Sequence, residues 1–194
     1  MRIFMAGASG VIGIRLVPLL VEAGHEVAGM TRSPEKAESL RELGAEPVVC
    51  DVFDDWALTV FVTGFGPDLV MHQLTDLPDD VEKLAEFWPR NDRMRSEGTR
   101  NLVAAATAAG ASRFLAQSIA WKLPPDRQKS TDEHERMVLE ADGVVVRYGQ
   151  LYGPDTFYPD ETPPPPRVHV DEAGRRTVPL LDAPTGIVVV VEDD

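Results

Sequence analysis

Cysteine is nearly absent: Cys50 is the single one in 194 residues. No intramolecular disulfide is possible, and a reducing compartment, the cytoplasm, is the expectation. Cys50 closes a short apolar run and reads as a small buried hydrophobe rather than a nucleophile. Basic residues are also scarce, with 19 Lys plus Arg against 32 Asp plus Glu and a formal net charge of −13. No Lys/Arg cluster interrupts that acidity, which speaks against a nucleic-acid or anionic-membrane surface. No apolar run approaches a membrane span. The first residues lack the long apolar stretch and cleavage site of a secretory signal. The 4 histidines are dispersed, so no metal-ligand spacing is present.

What is present is an alternation of short apolar runs with helical spacing. Ile3 to Ala6 reads as a buried strand, followed by Gly7, Gly10 and Gly13. Val11 to Ala23 then carries helical apolar spacing and stops before Gly24. Strand, glycine turn and helix together define a dinucleotide site. Gly7 permits the tight turn, Gly10 lets the backbone approach a pyrophosphate, and Gly13 lets the helix pack closely on the strand. The free N–H groups of the helix start, near Ser9, Val11 and Ile12, favour phosphates.

The alternation continues along the chain. Strands are expected at Glu26 to Met30, Pro47 to Cys50, Asp68 to His72, Arg113 to Gln117, Gly143 to Arg147, Val168 to Val170 and Ile187 to Val191. Helices are expected at Ser33 to Leu43, Asp54 to Val62, Val81 to Ala109 with a break near Pro89, Asp132 to Ala141, and Asp171 to Leu181. Such repetition predicts a single α/β domain over residues 1–194, doubly wound on a mostly parallel sheet in the Rossmann manner. The expected strand order is 3-2-1-4-5-6 with one further strand. Tyr158 to Pro166 holds five prolines among nine residues and is read as a stiff connection, not a regular element.

The tip of the second strand selects the cofactor. No carboxylate stands there to hold ribose hydroxyls; Thr31 and Arg32 do. An arginine suits a 2′-phosphate, so NADP(H) is expected ahead of NAD(H). Asp51, beyond the third strand, is suited either to an adenine amine or to capping a turn.

The chain resembles an extended or atypical short-chain dehydrogenase/reductase of the NAD-dependent epimerase/dehydratase type. The resemblance rests on Gly7-x-x-Gly10-x-x-Gly13, on Asp51-Val52, and on the N-x-x-x-x-x-x-G-T-x-N-L stretch from Asn91 to Leu102. R-F-L-A-Q-S at Arg113 to Ser118, R-Y-G-Q-L-Y-G-P at Arg147 to Pro154 and V-H-V-D-E-A at Val168 to Ala173 complete it. The resemblance implies that His72 and Gln73 border the cofactor, that Val52 and Tyr148 join them, and that residues 148–194 form what remains of a substrate-side region.

The catalytic pattern departs from the family. Its members use Tyr-x-x-x-Lys, the tyrosine as general acid/base and the lysine to lower its pKa. No tyrosine lies between Ser118 and Arg147. By position Thr131 or a neighbour replaces the tyrosine, and Glu135 or Arg136 the lysine. The hydroxyls left are Ser118 at a strand end and Tyr152 in the loop beyond the sixth strand; these are the expected catalytic residues. His134, on a charged helix face, is read as solvated surface. Two classes stay open: an NADP(H)-dependent oxidoreductase or epimerase of a small carbonyl, hydroxyl or sugar substrate, and a non-catalytic NADP(H)-binding sensor or partner-binding protein. A homodimer through the long helices is a further expectation.

Overall fold

Ile3, Phe4, Met5 and Ala6 are wholly buried, as a strand covered on both faces by helices must be. They belong to β1 (Arg2–Ala6), the centre of the fold in a computed structural model that describes residues 1–77 and 84–192. Around it run α1 (Gly13–Glu22), β2 (Glu26–Thr31), α2 (Ala37–Glu42), β3 (Glu46–Val49), α3 (Asp55–Phe65) and β4 (Leu69–His72). Next come α4 (Leu84–Arg93), a π-helical turn (Met94–Gly98), α5 (Thr99–Ala108), β5 (Arg113–Ile119), α6 (Pro125–Glu140) and β6 (Val144–Tyr148). The chain closes with β7 (Gln150–Tyr152), β8 (Arg167–His169), α7 (Val170–Thr177) and β9 (Gly186–Val190).

The main sheet has seven strands in the order β3-β2-β1-β4-β5-β6-β9, and every pairing is parallel. The expected doubly wound topology is therefore the observed one. The chain winds outward from β1 to β3, then crosses back to β4 on the other side of β1. That reversal opens a crevice at the carboxyl ends of β1 and β4, where ligands of such sheets bind. One core lies under α1 and α7, around Leu16, Leu20, Met5 and Val146. The other lies under α3, α5 and α6, around Phe4, Leu58, Leu102 and Val145. Each fully buried side chain of this size contributes about 1.5–3 kcal/mol.

Three expectations need correction. The break in the long helical stretch is not at Pro89, which α4 absorbs, but at the π-helical turn Met94–Gly98. Residues 81–83 of that stretch lie outside the described residues. Helix α6 begins at Pro125, not Asp132; proline suits a first helical position because its missing N–H is not needed there. Strands β7 and β8 form their own parallel pair. The proline run joins them, its carbonyls accepting from Gln150 at Pro164 and from Arg167 at Pro163.

Candidate functional site

The glycine loop is built to approach another group closely. Gly7 has φ +87°, and a Cβ there would lie 2.7 Å from the Gln73 carbonyl carbon. A Cβ on Gly13 would lie 2.4 Å from the carbonyl oxygens of Gly7 and Ala8. Neither position accepts a side chain without moving backbone. Ser9 Oγ donates to Thr31 Oγ1 (2.9 Å), tying the loop to the end of β2. No acidic residue occupies the first turn of α1, and no side chain caps its start. The amides of Val11, Ile12 and Gly13 have no backbone acceptor among the described residues. A helix start with free N–H groups, a positive dipole end and no carboxylate fits a pyrophosphate. Ile12 is itself core, so the backbone, not the side chain, faces that position.

The remaining expected cofactor residues divide. Thr31 is buried and accepts from Ser9 and from the Ser33 amide. Asp51 is exposed, and its Oδ1 caps the Phe53 amide at 3.0 Å. Val52 is core, with its carbonyl accepting from Asn101. Gln73 is buried, and its amide makes no hydrogen bond of ordinary geometry; the nearby Tyr148 hydroxyl is held by Thr177 (2.6 Å). Burial pushes the Tyr148 phenol up to about 12. His72 does not stand alone at its strand end but belongs to a relay in the interior.

That relay has one consistent direction. The Leu74 amide donates to His72 Nδ1 (3.2 Å), which leaves the His72 proton on Nε2 to donate to Thr99 Oγ1 (3.1 Å). The Thr99 hydroxyl donates to His134 Nδ1 (2.7 Å), and His134 Nε2–H donates to the Gln117 carbonyl (2.9 Å). Both imidazoles are neutral in this arrangement. Burial, then the proximity of His134 and Arg95, holds His72 well below the ordinary histidine range. Burial lowers His134 to about 4, Arg95 adding to it and the Gln117 and Glu135 contacts opposing it. His134 is 2% exposed, so its assignment to a solvated surface is corrected.

Beside the relay, on the same helix α6, stand Thr131 and Glu135. Glu135 Oε1 accepts from Ser118 Oγ (2.6 Å) and from Arg147 Nε (2.9 Å). Its other oxygen pairs with Arg147 Nη2 at 2.5 Å. Burial alone would raise the Glu135 carboxyl, but the Arg147 and Ser118 hydrogen bonds outweigh it and hold the group below its usual range. Thr131 accepts from Arg95 Nη1. Tyr152 is not joined to this cluster. It lies on β7, and its hydroxyl donates to Glu192 (2.7 Å), a bond that pushes its pKa up.

Sequence reasoning passed over Arg95 and Arg147. A signal existed for Arg95: with Thr99, Leu102 and Ala106 it follows the helical spacing of a buried stripe.

Comparison with known proteins agrees with this architecture. Residues 7–143 match the family described as NAD(P)H-binding. A Streptomyces protein named 3-diazoavenalumate denitrifying reductase is 37% identical over 182 residues, 81% of this chain and 59% of that protein. The chain thus spans little more than half the length of that relative. Thermus thermophilus UDP-glucose 4-epimerase, solved with NAD, superposes with TM-score 0.81 at 18% identity, covering 100% of this chain and 78% of that one. The Bordetella bronchiseptica enzyme WbmH with NAD+ gives 0.77 at 19% identity, covering 100% and 76%. The chain belongs to the NAD(P)H-binding family, on the extended short-chain dehydrogenase/reductase fold of the epimerases and dehydratases.

The expected preference for NADP(H) is overturned. Solved neighbours crystallised with a dinucleotide hold NAD. The physical reason lies at Arg32. Its guanidinium binds Asp76 at 3.2 and 3.5 Å, and Arg90 binds the same carboxylate at 3.0 and 3.2 Å. Asp76 is 5% exposed. A 2′-phosphate drawn to Arg32 would meet that carboxylate.

Proposed function

We propose that this chain is an NAD(H)-linked oxidoreductase or epimerase acting on a small carbonyl, hydroxyl or sugar substrate. The observation that carries the reading is the Ser118–Glu135–Arg147 cluster on β5, α6 and β6, in the same sheet as the glycine loop. NAD, when bound, supplies hydride exchange at its nicotinamide. The loop amides and Gly7, Ser9, Gly10 and Gly13 hold its pyrophosphate, while Thr31 and Asp51 face its adenosine half. Ser118 takes the substrate proton and passes its own to Glu135 Oε1. Arg147 keeps Glu135 ionised and ready to accept, which suits withdrawal of a proton from a hydroxyl more than donation to a carbonyl. Tyr152 is the second hydroxyl available. Residues 148–194 supply the substrate side. A homodimer through the long helical stretches, Val81 to Ala109 and Asp132 to Ala141, belongs to the same reading.

A second reading is a non-catalytic NAD(H)-binding sensor or partner-binding protein. It is favoured by Thr131 and Glu135, which supply neither phenol nor ammonium.

The deciding experiment has two parts. Fluorescence titration should show NADH binding, and its absence would sink both readings. A panel of hydroxyl and carbonyl compounds is then run on wild type, Ser118→Ala and Tyr152→Phe. Loss of a positioned proton relay lowers turnover by about 10²–10⁴, so Ser118→Ala should fall by that much. Tight NADH binding without turnover on any compound selects the sensor.

A further inference from the structure

Arg95 is 6% exposed, yet no carboxylate among the described residues forms an ion pair with it. Among the described residues its one hydrogen bond runs from Nη1 to Thr131 Oγ1. Asp92 and Glu135 act on it only from a distance, and burial disfavours its charged form. A buried guanidinium in such a state is costly unless something pairs with it. The free atoms are Nε and Nη2. Neither is among the fully enclosed atoms that lack a partner, so both retain some exposure. These two N–H groups form the side-on edge of the guanidinium, which matches both oxygens of a carboxylate. The residue sits on the π-helical turn Met94–Gly98, a local distortion that recurs at functional sites. Thr131 and Glu135 are one turn apart on α6, so the guanidinium that Thr131 holds lies near enough to Glu135 to feel its charge.

We infer that Arg95, braced by Thr131, is the receptor for a carboxylate group of the substrate. The inference rests on the cleft's being a substrate site beside NAD, and it narrows the substrate class to small molecules that carry a carboxylate. Glu135 would repel such a group if it stood alone. With Arg95 and Arg147 counted in, the three charged groups total one positive charge. The carboxylate is then directed to Arg95, because Arg147 is already engaged by Glu135 at both oxygens.

The test uses benzoate as the carboxylate probe and benzamide as its neutral isostere, titrated calorimetrically into the full chain saturated with NAD. NADH binding is measured first on each sample by fluorescence, so a failure of the cofactor reading shows there and not in the benzoate data. Benzoate should bind wild type at least tenfold more tightly than benzamide does. Arg95→Gln should lose at least tenfold for benzoate and nothing for benzamide. Arg95→Lys, which keeps the charge without the fork, should fall between them. Benzoate should also raise the melting temperature of wild type but not of Arg95→Gln. If Arg95→Gln does not fold, wild type against Arg95→Lys with the two probes decides the matter. Equal benzoate affinity in wild type and the variants, or benzamide binding as tightly as benzoate, overturns the inference.

Discussion

Acidification should destabilise this protein well above the pH at which its carboxylates titrate. The cause is the interior relay of His72, Thr99 and His134. Above pH 6.5 His134 is neutral in both the folded and the unfolded chain, and its contribution to stability is complete. Below 6.5 the unfolded chain binds a proton that the native chain refuses until about pH 4. Stability therefore falls as pH falls through that window. The gap between 6.5 and about 4, at about 1.4 kcal/mol per pH unit, amounts to about 3 kcal/mol, of which about 2 kcal/mol is lost by pH 5. His72 is shifted in the same direction and adds to the loss. Relief of self-repulsion in a chain of net charge −13 works the other way.

Urea unfolding at pH 8, 7, 6 and 5 measures the balance. With a slope of about 2 kcal/mol per molar urea, the midpoint should drop by about 1 M between pH 7 and 5. His134→Gln removes one of the two titrating rings but keeps the overall charge nearly the same. Its midpoint should be lower at pH 8 and change distinctly less on acidification. A wild-type midpoint that stays level from pH 7 to 5, or a variant that follows the wild-type slope, would refute the neutral relay.

Thr99→Val keeps the shape of the side chain and removes the hydroxyl between the two imidazoles. One ring is left without an acceptor and the other without a donor. At about 1–3 kcal/mol for each unsatisfied buried group, chemical denaturation should show a loss of about 2–6 kcal/mol. Gly13→Ala places a methyl 2.4 Å from two carbonyl oxygens; NADH affinity should fall more than tenfold in a fluorescence titration, with a stability loss of about 2 kcal/mol. Arg32→Ala removes a half-exposed partner of Asp76, so the melting curve should reflect a change of about 1 kcal/mol or less. NADH affinity should move by less than threefold, since Arg90 still holds the Asp76 carboxylate.

The fold was legible because its signals are repetitive and local. Buried parallel strands must be apolar on both faces, and Val144, Val145 and Val146 satisfy that in three consecutive positions. The glycine loop was legible for a related reason: Gly7 and Gly13 sit where any side chain would collide with backbone. Strand β7 was not, because three residues cannot display a period, and the pairing of β7 with β8 was hidden because it runs across a proline segment. Helix α6 was legible only in its second half. Its buried stripe is Thr131, His134, Glu135 and Val138, of which only Val138 is apolar, so amphipathic spacing reads as solvent-facing.

The same property hid the site chemistry. Polar residues on a buried stripe look like surface until their partners are known, and those partners come from elsewhere in the chain. Glu135 is buried because Ser118 on β5 and Arg147 on β6 satisfy it. Arg32 misled for the converse reason. At the tip of β2 it carries the charge a phosphate would need, but the carboxylate that engages it lies 44 residues away. The charge arrangement is also a consistent whole. Glu135 alone would leave this cluster negative, yet Arg147 neutralises it and Arg95 on the π-helical turn adds one positive charge. The cluster therefore keeps a positive charge despite the carboxylate at its centre. A cation so placed orients an anionic substrate, whereas a lysine one turn beyond a tyrosine tunes a proton donor.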